Sequence, residues 1–127
     1  MKRFTCIALV LALFAPTAAA QQSTSLKCAG TEPFWSLTIT ATAMWFSDHD
    51  EKRTDLVPVK PRDATGRMPD LLRVYQTRRT NDSAAVTLVV RRNYESCTDN
   101  MQEKEHDYDA VYITPEGVYD GCCSWEK

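Results

Sequence analysis

Residues 34–42 read FWSLTITAT, and this stretch decides the fold class because apolar and polar residues alternate from Trp35 to Thr42. A period of two between apolar and polar residues is typical of a half-buried β-strand. The apolar members are Trp35, Leu37, Ile39 and Ala41. Successive side chains of a strand point to opposite faces, so Trp35 should lie in the core and Phe34 should be the more exposed ring.

Six further segments carry strand signals and are separated by turn formers. They are residues 43–47, 56–59, 71–77, 84–92, 109–114 and 118–125. No segment has the long apolar stripe of an amphipathic helix, although residues 94–107 lack a clear period and could form a long loop or a short helix. We therefore predict an all-β fold, a small antiparallel meander that closes into a barrel of about 7–8 strands, because closure removes exposed sheet edges. A small β-sandwich is the alternative.

The first 20 residues have the pattern of a cleaved secretory signal peptide. Lys2 and Arg3 precede an apolar run, and Ala18-Ala19-Ala20 provides a small-residue cleavage site after it. The run is shorter than the about 20 residues of a membrane-spanning helix, and an uncleaved anchor is the alternative. We expect residues 21–27 to form a flexible segment and residues 28–127 to form one domain, in the periplasm or outside the cell.

Charge and length limit the partners of this domain. The chain has 127 residues with 15 Lys+Arg and 17 Asp+Glu, which is typical of one globular domain. Cleavage after Ala20 removes two basic residues and leaves 13 Lys+Arg against 17 Asp+Glu, a formal charge of −4. Nucleic-acid binding requires a basic face, so no nucleic-acid partner is predicted. We expect a monomer without a transmembrane span after cleavage.

Four cysteines remain after cleavage, and an even number in a small exported chain indicates disulfide bonds. Cys122 and Cys123 are adjacent, and in a strand their side chains point to opposite faces. Each should then bond a different partner, Cys28 or Cys97, and both assignments are possible on this ground. Each bridge would contribute about 2–4 kcal/mol. A redox role for the adjacent pair is the functional alternative.

The sequence contains no motif of a nucleophilic, phosphate-binding or cofactor-binding site. We therefore predict a non-catalytic protein without a cofactor. His49 lies between Asp48 and Asp50, and His106 lies beside Asp107. An imidazole next to carboxylates can bind divalent metals, but solvated acidic loops have the same composition, and no metal site is predicted.

Two clusters are candidates for a binding surface. The first starts at Cys28, and its candidate residues are Glu32, Phe34 and Trp35. The second starts at Cys97, and its candidate residues are Asp99, Met101 and Tyr108. An exposed ring beside a carboxylate suits a binding surface. Alternatively, both clusters pack the core and shape a loop tied down by Cys97.

These clusters resemble motifs of small exported bacterial envelope proteins, which have a G-x-EPFW start, a C-[ST]-D-G-M-S-D-x-x-Y-P-Y middle and a G-C end. The start is matched by Gly30, Glu32, Pro33, Phe34 and Trp35, the middle by Cys97, Thr98, Asp99, Met101 and Tyr108, and the end by Gly121 and Cys122. Asn100 stands where the family has glycine. The family is described as membrane or lipoprotein-like and sometimes accompanies META-type heat-shock lipoprotein domains. Because Cys97 and Cys122 match its two recurrent cysteines, the resemblance implies a Cys97–Cys122 bridge and leaves Cys28 for Cys123.

A weaker similarity, at the level of the fold, is to the exported inhibitors of c-type lysozyme, which are small disulfide-bonded β-barrels. Export and the resemblance together favour a non-catalytic binding module of the cell envelope whose partner is an envelope or host protein. A structural or stress-related envelope protein without a specific ligand is the main alternative. A lysozyme-inhibitor-like activity and a redox role of Cys122-Cys123 are further alternatives.

Overall fold

The computed structural model describes residues 24–98 and 104–127, and within them it contains nine β-strands. The strands are β1 Ser25–Gly30, β2 Trp35–Ile39, β3 Met44–Ser47, β4 Arg53–Leu56, β5 Arg62–Asp63, β6 Leu72–Arg78, β7 Ala85–Thr98, β8 Glu105–Ile113 and β9 Val118–Glu126. In these two ranges there is no helix long and apolar enough to cross a membrane.

All nine strands form one antiparallel sheet in the order β4-β3-β2-β1-β9-β8-β7-β6-β5. The sheet curls until β4 meets the end of β6, where Leu56 forms a bridge with Arg79. There the Val57 N–H donates to the Arg78 carbonyl at 3.0 Å. The prediction of an all-β, barrel-like and disulfide-bonded meander is confirmed. The number of strands differs, because neither β1 nor the two-residue β5 was expected.

The structure places β1 in part of the segment that we expected to be flexible. Leu26 and Lys27 pair with both β2 and β9, and Ser25 pairs with β9. Leu26 is buried. This strand has six residues, and only one of its inward positions carries a large apolar side chain. Its sequence therefore shows little alternation of apolar and polar residues. Pairing on both sides, which is a tertiary effect, overrides its weak local preference.

The fourth strand lies earlier than expected. Residues 56–59 were predicted to form it, but β4 ends at Leu56 and residues 57–61 form a connection. Pro58 has no N–H to donate to a strand ladder, which is consistent with this ending.

Strand β2 also ends earlier than expected, at Ile39. The Thr40 side-chain oxygen accepts the Ala43 N–H at 3.0 Å and forms a turn there. Ala41 is therefore exposed instead of facing the core.

Strand, and not a loop or a helix, covers residues 94–98 and 105–107. Strand β7 continues to Thr98, and β8 begins at Glu105. The pairing between the two strands shifts register between Arg92 and Cys97, and Ser96 has a φ of 77°. A bulge of this kind interrupts the period of two, and the sequence pattern therefore hid the strand.

The concave side of the sheet carries the core. Trp35 is 4% exposed and Phe34 is 57% exposed, which confirms the predicted orientation of both rings. Three aromatic rings surround Trp35 at centroid distances of 6.0 to 6.3 Å. They belong to Phe46, Tyr112 and Tyr119.

Two glycines make room for the Trp35 indole. A Cβ atom on Gly121 would overlap the Ala29 carbonyl oxygen and lie 2.8 Å from Cζ2 of Trp35. A Cβ atom on Gly30 would overlap the Asp120 carbonyl oxygen and the indole nitrogen. The same indole N–H donates to the Asp120 carbonyl at 3.0 Å. Gly30, Trp35 and Gly121 are thus a single packing unit.

We expect the substitution Gly121→Ala to lower the free energy of unfolding by about 1–3 kcal/mol, the usual cost of overpacking a core. The matched control is Gly117→Ala, where a Cβ atom would have no neighbour within 4 Å. The control should be neutral or slightly stabilising, because alanine restricts the unfolded chain more than glycine does. Urea denaturation measures both variants, and equal stabilities would contradict the packing unit.

Both disulfide bonds end on β9. Cys28 and Cys123 are register partners on β1 and β9, and their bridge lies on the concave side of the sheet. Cys97 of β7 bonds Cys122, which points to the convex side. This is the pairing that the resemblance implied, and it separates the adjacent cysteines onto two faces. All four described cysteines are bonded, so a bond between Cys122 and Cys123 does not form.

The two bridges should differ in their contribution to stability. The residues of Cys28–Cys123 are 95 positions apart and those of Cys97–Cys122 are 25 apart. A bridge that closes a longer loop restricts the unfolded chain more, by about 1 kcal/mol for these two lengths. Cys28→Ala/Cys123→Ala should therefore be less stable than Cys97→Ala/Cys122→Ala in equilibrium denaturation. The reverse order would show that local strain or packing, and not loop closure, sets the contribution.

Candidate binding surface

Four hairpin turns lie at one end of the sheet, because neighbouring antiparallel strands alternate in direction. We call this end the turn end. It comprises residues 31–34, 48–52, 79–84 and 114–117. The sequence motif that starts at Gly30 supplies the first of these turns.

The first turn presents Phe34 to solvent. Glu32 and Phe34 are exposed, whereas the next residue, Trp35, is fixed in the core by its hydrogen bond to Asp120. Glu32 has a φ of 61°. Phe34 stands between this tight turn and the buried Trp35, so its ring has little freedom to move. Phe34 is therefore preorganised for contact.

The neighbouring turn is acidic. Ser36 and Ser47 are register partners, which places Asp48 beside the base of the first turn. The Asp48 carboxylate accepts the N–H groups of Asp50 at 2.9 Å and Lys52 at 3.0 Å. The ligand atoms of Asp48, His49 and Asp50 lie within 4.8 Å of one another, but Asp48 is already engaged in shaping its own turn. Glu51 adds a further carboxylate.

Arg79 holds two of the other turns together. Its guanidinium donates to both carboxylate oxygens of Glu116, at 2.9 and 2.7 Å, and to Asp82 at 3.0 Å. The hydrogen bonds from Arg79 lower the pKa of Glu116 to about 2. The pKa of Asp82 is also lowered, first by the backbone N–H of Ala84 and then by Arg79. These contacts tie the β6–β7 turn to the β8–β9 turn.

This pKa predicts how stability depends on pH. Because the carboxyl pKa of Glu116 is lower in the folded protein, its contribution is complete above the ordinary value near 4.5 and is lost as the pH falls through about 2. Glu116→Gln should therefore unfold at a lower temperature than the parent protein at neutral pH. The difference should close between pH 4.5 and pH 2 in a series of thermal melts.

Arg79→Gln removes the other partner of the same ion pair and serves as the comparison variant. In a double-mutant cycle at neutral pH, the Glu116→Gln effect should largely disappear once Arg79 is replaced. A Glu116→Gln effect that is the same at every pH would contradict the assignment of the lowered pKa to this pair.

A cavity of about 360 Å³ lies on the convex side of the sheet beside the first turn. We call it the acidic cavity. All three sequence motifs contribute to its wall: Gly30 and Thr31, Cys97 and Thr98, and Gly121 and Cys122. The other lining residues are Asn93, Ser96, Asp109 and Asp120.

The acidic cavity is suited to a cation. Asp109 is half-buried and accepts a hydrogen bond from the Asn93 side-chain amide at 3.0 Å. Asp120 adds a second carboxylate, and none of the described lining residues is lysine or arginine. Two carboxylates with several hydroxyl and carbonyl acceptors favour a guanidinium or ammonium group that can donate several hydrogen bonds.

The structure separates the six predicted binding residues. Glu32 and Phe34 are exposed at the turn end, whereas Trp35 and Tyr108 are buried in the core and do not form an exposed aromatic surface. The Tyr108 hydroxyl donates to the Asp70 carboxylate at 2.6 Å. Burial, followed by the contact with Asp70, raises its pKa. Asp99 and Met101 lie outside the described residues.

Sequence reasoning missed the polar wall of the acidic cavity. Asn93, Asp109 and Asp120 come from three different strands and belong to none of the recognised motifs. Their only sequence signal is a polar residue at an outward position of a strand, which is also the signal of an ordinary solvated face. Their convergence became visible only with the pairing of β7, β8 and β9.

The fold also brings together His106 and Ser124, which the sequence gave no reason to pair. Nδ1 of His106 lies 2.5 Å from the Ser124 hydroxyl oxygen. A serine activated as a nucleophile also needs a group that orients the histidine and donors for the oxyanion. Among the described residues no carboxylate is hydrogen-bonded to His106.

The chain matches no protein-family model, and comparisons with curated proteins and with solved structures find no similar protein. The resemblance to small exported envelope proteins therefore rests on the motif residues alone and stays a prediction.

Proposed function

We propose that this protein is a non-catalytic binding module of the bacterial cell envelope, located in the periplasm or secreted. Its ligand is a basic segment of an envelope or host protein. One lysine or arginine side chain of that partner enters the acidic cavity, and the exposed Phe34 ring packs against the partner surface beside it. The observation that carries the proposal is the convergence of three separate motifs on one electronegative cavity.

Burial and charge support this assignment. Phe34 is a large apolar side chain that is 57% exposed. Glu32, Asp50 and Glu51 are also exposed at the turn end. Interfaces combine an aromatic anchor with complementary charges around it, and such charges accelerate encounter with a partner of opposite sign.

Export is supported by the residues that suggested it. The signal-peptide pattern of the first 20 residues predicts translocation. Two disulfide bonds in a chain of this size are typical of oxidising compartments. The Cys97–Cys122 bridge also forms part of the wall of the acidic cavity.

A structural envelope protein without a ligand is the second candidate, and it is favoured by the packing of Trp35 against Gly30 and Gly121. That packing accounts for the start and the end motifs by folding alone. It does not account for the exposed Phe34 or for the carboxylates of Asp109 and Asp120. Variants of these three residues therefore distinguish the two candidates.

The test is a titration of the isotope-labelled protein with N-acetyl-arginine amide, followed by backbone amide shifts. We expect shifts at Thr31, Ser96 and Gly121. Asp109→Asn and Asp120→Asn should each weaken binding about tenfold or more, because each removes a charge-assisted hydrogen bond. The matched control is Asp63→Asn, which removes a carboxylate from β5.

The Phe34→Ser variant tests the second contact. It should leave the free energy of unfolding within about 0.5 kcal/mol of the parent value, as for other exposed positions. It should also leave the affinity for N-acetyl-arginine amide unchanged, yet abolish capture of a partner from envelope extract. Loss of stability in Phe34→Ser, or equal affinities in all three aspartate variants, would instead support the structural candidate.

A further inference from the structure

The charge of the sheet changes sign at β7. Arg91 on β7 and Asp109 on β8 are register partners, and Asp109 belongs to the acidic cavity. Residues 57–74 and 90–92, which include β5, the start of β6 and the middle of β7, carry six cations and two carboxylates. They are Lys60, Arg62, Arg67, Arg73, Arg91 and Arg92, with Asp63 and Asp70.

Three of these arginines line one cavity of about 300 Å³. We call it the arginine cavity. Its lining residues are Ala64, Arg67, Leu71, Leu72, Arg91 and Arg92. The backbone fixes their positions, since the Arg92 N–H donates to the Leu71 carbonyl at 2.9 Å and the Ala64 N–H donates to the Leu72 carbonyl at 3.0 Å.

The nearby carboxylates do not balance this charge. Asp70 lies 3.9 Å from the Arg92 guanidinium and 3.4 Å from that of Arg73, and Asp63 also pairs with Arg73 at 3.3 Å. Within residues 24–98 and 104–127, neither Arg67 nor Arg91 has a carboxylate within 4.0 Å. An anion in the cavity would relieve the repulsion, and a guanidinium matches two oxygens of a phosphate group at once.

Two exposed apolar side chains flank the arginine cavity. Met68, the next residue after Arg67, is 64% exposed, and Tyr94 is 74% exposed. The Arg92 guanidinium lies 6.0 Å from the centre of the Tyr94 ring. Tyrosine rings and basic side chains next to exposed apolar groups are typical of surfaces that lie at the boundary between lipid headgroups and acyl chains.

We propose that this face binds the surface of an anionic phospholipid bilayer. A headgroup phosphate occupies the arginine cavity, and the side chains of Met68 and Tyr94 enter the interfacial layer on either side. The loop between β5 and β6 lies opposite the turn end, so the turn end points away from the membrane. This inference goes beyond the proposed function and does not depend on it, because it uses different residues.

The test is co-sedimentation of the protein with phosphatidylcholine vesicles that contain or lack phosphatidylglycerol. We expect binding only to the anionic vesicles, and binding should weaken with added salt. Arg67→Gln/Arg91→Gln should lower the vesicle affinity roughly thirtyfold, the factor that corresponds to about 1 kcal/mol for each basic residue at an anionic surface. The matched control, Lys52→Gln/Arg78→Gln, has the same charge change elsewhere and should lower it far less.

Two further measurements separate a membrane site from a site for soluble phosphate. Met68→Ser/Tyr94→Ser should weaken vesicle binding without changing the affinity for free glycerol phosphate measured by amide shifts. Circular dichroism confirms that each variant is folded. The proposal is overturned by absent binding to anionic vesicles, by equal losses in the two charge variants, or by an affinity for free glycerol phosphate that matches the affinity for vesicles.

Discussion

The hydrogen bond from the Trp35 indole to the Asp120 carbonyl sets the arrangement of the turn end. It can form only where two strands approach closely, and Gly30 and Gly121 allow this approach because a Cβ atom at either position would overlap its neighbours. The indole in turn fills the space beside Phe46, Tyr112 and Tyr119. Since Phe34 immediately precedes Trp35, the same contact that completes the core also holds an aromatic ring in solvent. The packing of the core and the exposure of Phe34 therefore both depend on the hydrogen bond between Trp35 and Asp120.

The adjacent cysteines extend this arrangement to both faces of β9. Cys123 ties the concave side to β1, and Cys122 ties the convex side to the end of β7. The second bridge brings Cys97 and Thr98 to the wall of the acidic cavity. A bridge on each face of one strand leaves that strand little freedom to rotate, so the carboxylate of Asp120 keeps its position relative to Asp109. A disulfide bond that stabilises the fold is consequently also part of the proposed ligand site.

The composition of the chain conceals two local concentrations of charge. A formal charge of −2 for the whole chain suggests a mildly acidic surface, but two aspartates line the acidic cavity and three arginines line the arginine cavity. Arg91 and Asp109 mark the boundary. Such a distribution orients a protein in an external field or against a charged surface more effectively than its net charge would. The two proposals use the two regions separately.

The sequence by itself determined the all-β class, the inward orientation of Trp35 and the exposure of Phe34, because the period of two along a strand follows from backbone geometry. The motif resemblance also supplied the disulfide pairing. Only the tertiary structure decided that Ser25–Gly30 is a strand, that β7 continues through a register shift to Thr98, and that Asn93, Asp109 and Asp120 share one cavity. It also showed that Tyr108 is buried. These features depend on which strands pair and in which register, and pairing is a contact between residues distant in sequence that leaves no periodic signal in either partner.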